Sequence, residues 1–247
     1  MSDPDQFQLH RIAWSLEKSI RYWDNYIKLF GEDKYFSSDC GESVLEYIER
    51  TCSLTDLVLD YGCGSGKFIE HLLRKGITCK GLDFSPESVR RVNAKWADHP
   101  CFRGVVLATE LPTPLGDASF GIIFCLDMIE HVLDGYLEST FAEFARIVRE
   151  GGILVVTTPN EEKLSISEVL CPDCGCLFHR YQHVRMWSVP SLRNALEIHG
   201  FVTIACEPRT FGPNPAMPNL RKLYRWLTRA PKPLQPHLVY VGIRKAR

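Results

Sequence analysis

Apolar and polar positions along this chain change period several times, and each change marks an element. Between residues 6 and 30, apolar and aromatic side chains recur at helical spacing (Phe7, Ile12, Trp14, Ile20, Trp23, Ile27, Phe30), which predicts one or two helices. Residues 41–52 predict another, with Val44, Leu45 and Ile48 on one face. Short apolar runs at 56–60, 77–83, 102–107, 119–125 and 152–157 then alternate with helical patterns at 65–75, 86–97, 136–149 and 189–199. Such alternation predicts an α/β fold, a doubly wound and mostly parallel sheet with both faces covered. Right-handed crossovers bring the strand ends to one edge, which collects Asp60, Gly62, Asp83, Ala108, Cys125, Asp127 and Thr158. Residues 202–207 and 238–243 read as two further strands, for seven in all. Between them, residues 219–229 form a helical pattern with Leu220, Leu223, Tyr224 and Leu227 on one face.

The chemistry begins where the first strand ends. Asp60-Tyr61-Gly62-Cys63-Gly64-Ser65-Gly66 places three alternating glycines between that strand and a helix, where an open α/β sheet binds its ligands. Asp83 stands 19 residues after Gly64, at the end of the next strand, where a carboxylate can accept both hydrogen bonds of a ribose diol. A nicotinamide dinucleotide site would usually show G-x-G-x-x-G; D-x-G-x-G-x-G instead resembles motif I of the class I S-adenosylmethionine-dependent methyltransferases. Glu110-Leu111-Pro112 with Asp117-Ala118-Ser119-Phe120, then Asp127-Met128-Ile129-Glu130-His131-Val132, then Gly151-Gly152 through Thr158-Pro159-Asn160 match that family in order. The resemblance covers about residues 54–206. It implies a Rossmann-like methyltransferase core at 54–207, an N-terminal helical lid at 1–53, and a basic segment at 208–247 that completes the sheet. It also implies that S-adenosylmethionine lies on Asp60, Gly62, Cys63, Gly64, Gly66, Asp83, Phe84 and Ala108. Asp60 would serve the methionine amino end, Asp83 the ribose and Phe84 the adenine. Leu107 before Ala108 departs from the family, which often carries an acidic residue there for the adenine amino group; backbone or water must meet that edge.

Methyl transfer is an in-line displacement that needs alignment, a dry site and an outlet for one proton. His131 is the candidate general base for a hydroxyl, with helix packing or capping as the bland alternative. If a helix begins at Asp127, then Asp127, Glu130 and His131 share one face as the catalytic group. In ubiquinone-biosynthesis O-methyltransferases and small-RNA 2′-O-methyltransferases, which this chain resembles, a similar E-x-x-E-H run holds a divalent metal. The RNA enzymes complete it with a His four residues before a Trp; His183 stands four before Trp187 here. His183 has a rival claim. Cys171, Cys174, His179 and His183 have the C-x2-C-x4-H-x3-H spacing of a structural zinc knuckle within the 171–183 insertion, with Cys176 to spare. The thiols could otherwise stay reduced along the pocket, or both histidines could turn to the Glu130 metal.

Composition adds boundaries. The 247 residues, 45% hydrophobic and 24% charged, suit one domain with appendages. No apolar stretch is long enough for a transmembrane helix, and the polar start lacks a signal-peptide pattern, so the ten cysteines predict reduced thiols in the cytoplasm. Charge is uneven: all 30 acidic residues precede residue 208, whereas nine of the 29 basic ones follow it. That basic end is a solvated face, or a contact for nucleic acid or, through 219–229, a membrane surface. Expected function is O-methylation of a small hydroxylated molecule such as a sugar, lipid-linked glycan or quinone precursor. The rivals are metal-assisted RNA 2′-O-methylation and a cofactor-binding subunit without turnover.

Overall fold

The computed structural model describes residues 7–54, 56–212 and 236–246. The expected helix at 219–229 lies outside the described residues. Seven strands form one sheet: β2 (Val58–Tyr61), β3 (Cys79–Asp83), β4 (Phe102–Leu107), β5 (Phe120–Leu126), β6 (Val148–Pro159), β9 (Phe201–Arg209) and β10 (His237–Arg244). Their spatial order is β4-β3-β2-β5-β6-β10-β9, parallel except for β10, which runs antiparallel to both neighbours. Strand order reverses between β2 and β5, so the crevice above their carboxyl ends is the switch point where such sheets bind ligands.

Period-two alternation explains why both faces are covered. On one face Leu59, Ile123, Cys125, Leu154 and Val156 pack with Phe141, Phe144 and Ile147 of α5 (Asp134–Ile147) and Leu192 and Leu196 of α6 (Val189–Ile198). On the other, Val58, Ile122, Phe124 and Val155 meet α2 (Phe36–Glu49) and α3 (Lys67–Arg74), together with Val92 of α4 (Pro86–Trp96). β5 is buried along its whole length, which is why it reads as an unbroken apolar run. Ser85 and Ser188 cap α4 and α6, each followed by Pro in the first turn, and so fix where those helices leave the strand edge.

Two expectations need correction. Residues 7–14 do not form a helix. β1 (His10–Arg11) is extended and hands its hydrogen bonds to a neighbouring strand, with His10 N–H donating to Gly175 O and Ile12 N–H to Leu177 O. α1 (Leu16–Phe30) starts only at the Ser15 cap. The 171–183 insertion is not a compact knuckle but a hairpin, β7 (Glu168–Leu170) and β8 (Cys176–His179), which with β1 makes a three-stranded sheet in the order β1-β8-β7.

Candidate active site

The loop after β2 turns sharply against β3: the Gly62 and Cys63 amides both donate to Leu82 O, at 2.8 and 3.0 Å. Gly62 has φ +79°, and a Cβ there would stand 2.6 Å from Met128 Cγ, so position 62 needs glycine twice over. Asp83 accepts from Gly64 N–H at 2.7 Å and Ser85 N–H at 2.8 Å. Burial pushes its pKa up to about 6, against the pull of those backbone donors. Asp60 is also buried, and its Oδ2 has no hydrogen-bond partner. Burial, aided by the Asp83 charge, pushes the Asp60 carboxyl up to about 8. An acid in this state is short of a cationic or hydrogen-bonding partner.

A cavity of about 110 Å³ opens beside this loop. Gly62, Asp83, Phe84, Ala108 and His131 all belong to its wall, so five sequence-derived candidates share one space. Asp60, Cys63, Gly64 and Gly66 are not wall residues: the Tyr35 ring lies against Gly64, Val92 against Gly66, and the Cys63 sulfur packs under Gly81. Glu110 is in the wall two residues after Ala108, a carboxylate close to where the expected acidic residue is missing.

The 127–131 segment is a turn rather than a helix start, and α5 begins only at Asp134. Asp127 adopts φ +47°, which Asp tolerates better than most residues, and its carboxylate goes elsewhere. It accepts from Thr157 Oγ1 at 2.7 Å and lies 2.8 Å from His237 Nε2. The shared helical face expected for Asp127, Glu130 and His131 therefore does not form. Glu130 is buried, accepts from Thr158 Oγ1 at 3.0 Å and leaves Oε1 unpartnered; burial and then the Asp127 charge raise its pKa well above the ordinary range. Burial, reinforced by His183, holds the His131 pKa well below the ordinary value, so its imidazole is neutral.

The two histidines of the insertion reach this site, and its cysteines do not. His179 stacks on His183 at 4.4 Å, and His183 meets His131 at 4.8 Å. Ligand atoms of Glu130, His131 and His183 lie within 4.8 Å of one another, as do those of Glu162, His179 and His183. The His183 hydrogen bond, with His179 Nε2 3.5 Å from the other carboxylate oxygen, overcomes burial and holds the Glu162 carboxyl down at about 2. This overturns the ligand set of Cys171, Cys174, His179 and His183, for a simple reason. Glu168 pairs with His179 and Leu170 with Leu177, so the cysteine turn lies about 10 Å along the ladder from His179. His179 follows Cys176 by an odd number of positions, so it also faces the opposite side of the hairpin.

Several neighbours had no distinctive sequence signal. Gln182 is fully buried and joins three parts: its Nε2 donates to His131 O at 3.1 Å, its Oε1 accepts from Trp23 Nε1 at 2.6 Å, and its carbonyl lies 3.4 Å from His131 Nδ1. Trp23 itself packs edge-on to His131 at 4.9 Å. Arg185 braces the turn through the carbonyls of Ile129 and Val132. Glu162 and His237 stand alone in sequence and become visible only through the partners they meet.

Comparisons with known proteins identify the family and the fold. A methyltransferase-domain family matches residues 33–205. A ubiquinone biosynthesis O-methyltransferase of Paracidovorax citrulli is 33% identical over 105 residues, 42% of this chain and 43% of that protein. The chain spans about half the length of the curated relatives it matches in this way. Among solved structures, the complex of the Haloferax volcanii Trm112 methyltransferase activator with a methyltransferase matches at TM-score 0.67 and 20% identity, covering 91% of this chain and 98% of that one. A Burkholderia thailandensis 1,6-didemethyltoxoflavin N1-methyltransferase holding its substrate and S-adenosylhomocysteine matches at TM-score 0.62 and 15% identity, over 96% and 94%. At these identities the solved structures share the fold.

Proposed function

Because the chain belongs to the class I S-adenosylmethionine-dependent methyltransferases, we propose that it methylates a hydroxyl group of a small molecule, with His131 as general base. One observation carries the reading: Gly62, Asp83, Phe84 and Ala108 share a single cavity wall with His131, so cofactor cradle and base face the same space. The cradle fits the cofactor. Asp60 Oδ2 is a buried acceptor without a partner, suited to the methionine ammonium, and Gly62 leaves room that a side chain would fill. Asp83 keeps lone pairs on both oxygens for a ribose diol, and Phe84 offers a face to adenine. When bound, S-adenosylmethionine supplies an electrophilic methyl group.

The chain's own residues do the rest. Trp23, Tyr26 and Tyr35 form a contiguous aromatic cover that excludes water above the loop. The Gln182 carbonyl near Nδ1 favours the tautomer in which Nε2 of His131 carries the lone pair and takes the hydroxyl proton. The neutral imidazole is ready for that role at neutral pH.

The convergence of Glu130, His131 and His183 supports a second reading, in which those three hold a divalent metal that acidifies and orients the hydroxyl. Glu130 Oε1, buried and unpartnered, fits a ligand. The test is methyl transfer from labelled S-adenosylmethionine across a panel of sugars, quinols and short RNAs, with and without a chelator. Product on a small hydroxyl compound that survives chelation supports the base. Loss restored by divalent metal supports the second reading, RNA-only product points to the nucleic-acid rival, and cofactor binding without any product favours a non-catalytic subunit.

A further inference from the structure

The hairpin that denies its cysteines to the active-site histidines assembles them with another residue. His10 of β1 pairs with Cys176 of β8. The β7–β8 ladder runs from Glu168 opposite His179 to Leu170 opposite Leu177, and the next rung sets Cys171 against Cys176, with Cys171 N–H donating to Cys176 O at 2.8 Å. Directly opposed residues on adjacent strands point to the same face, about 5 Å apart at Cβ. His10, Cys176 and Cys171 therefore form one row across three strands. The other face confirms this phase: Arg11, the neighbour of His10, is ion-paired there with Glu168.

Cys174 completes the row from the turn. Gly175 N–H donates to Cys171 O at 3.0 Å and Cys171 N–H to Cys176 O at 2.8 Å, so the tight turn that carries Cys174 is closed between the two paired cysteines. His10 is prepared as a ligand too. Its Nδ1 lies 2.7 Å from Gln8 O, so the Nδ1 proton is committed to a backbone carbonyl and Nε2 is left as the ligand atom.

We propose that Cys171, Cys174, Cys176 and His10 form a tetrahedral Cys3His site for a structural zinc ion. Three thiols release their protons to solvent and the neutral imidazole binds through Nε2, leaving no open position. The ion ties the N-terminal strand to the insertion. α1 follows that strand directly and carries Trp23 to His131 and Gln182, so the zinc fastens the cover of the active site while remaining apart from its chemistry.

Cobalt substitution tests this without reference to methyl transfer, because only sulfur ligands give the thiolate-to-Co2+ charge-transfer band in the near ultraviolet. Reduced full-length chain should bind one Co2+ with that band, and zinc should displace it. Cys171→Ser combined with Cys174→Ser should abolish the band, His10→Ala should keep it but weaken Co2+ binding, and His179→Ala should leave both unchanged. No band in the wild-type chain overturns the site, and so does an unaltered affinity in His10→Ala. Should a variant fail to fold, mass-mapped alkylation of the wild-type chain decides. Cys171, Cys174 and Cys176 should be protected with zinc and modified after chelation; equal modification in both states overturns the site.

Discussion

Asp60 illustrates how a residue that costs stability can hold a site open for a ligand. In the folded chain it keeps its proton up to about pH 8, against an ordinary value of 3.8. The stability it contributes is thus fully present below pH 3.8 and is lost as pH rises through 8. Asparagine carries no such dependence. Asp60→Asn should raise the stability of the ligand-free chain by roughly 1–2 kcal/mol, with the gain growing between pH 4 and 8. It should weaken S-adenosylhomocysteine binding about 10–100-fold. Denaturant melts and calorimetry on both proteins check the two effects, and an Asn variant that binds as tightly as wild type removes Asp60 from the cradle. His131 gives a prediction of opposite sign. Its pKa lies below the ordinary 6.5, so the imidazole stays able to accept a proton as pH falls through that value. The acid limb of kcat/KM should lie below 6.5, and His131→Ala should lower kcat by about 10²–10⁴-fold. A limb above 6.5 that persists in the Ala variant rules out His131 as the base.

The loop after β2 and the hairpin at 168–179 differ in how much of each is legible from residues alone. Gly62 occupies a position with positive φ and a side-chain approach from Met128. Gly62→Ala should cost about 1–3 kcal/mol and reduce cofactor affinity, read by thermal melts with and without S-adenosylhomocysteine. That requirement is local, so alternating glycines after an apolar strand announce it. The strands of the large sheet are legible for a related reason: β5 is covered on both faces, and its composition says so directly. The turn at 127–131 hid its shape. Asp, Glu and His at helical spacing suggest a helix, but hydrogen bonds to Thr157 and Thr158 and the contact with His237 hold a turn instead, and those partners lie far along the chain. The hairpin hid its faces in the same way. Metal-ligand spacing counts residues but carries no strand phase, so the pairing of His10 with Cys176, set by a strand more than 160 residues away, has no sequence signature.

Across the whole molecule, two separate segments line one space and a third braces it. The sheet edge supplies the glycine loop, Asp83 and the His131 turn; α1 supplies Ser19 and Leu16 to the wall and anchors Asp24 to the Ser85 hydroxyl; the insertion holds His131 and Trp23 through Gln182 and His183. Among the described residues no helix is long and apolar enough to cross a membrane. Most of the basic segment that follows Glu207 lies outside the described residues, so its proposed contacts are tested by binding rather than by geometry. If RNA is the acceptor, affinity should fall steeply as salt rises, whereas binding of a small uncharged acceptor should hardly change. All of these readings depend on a sulfonium nucleoside occupying the crevice between β2 and β5. Isothermal titration of the folded, full-length chain with S-adenosylhomocysteine tests that directly. A saturable heat with one site per chain and a Kd between roughly 1 μM and 1 mM is the predicted result. Absence of heat at several temperatures, from protein whose melting shows it to be folded, contradicts the account.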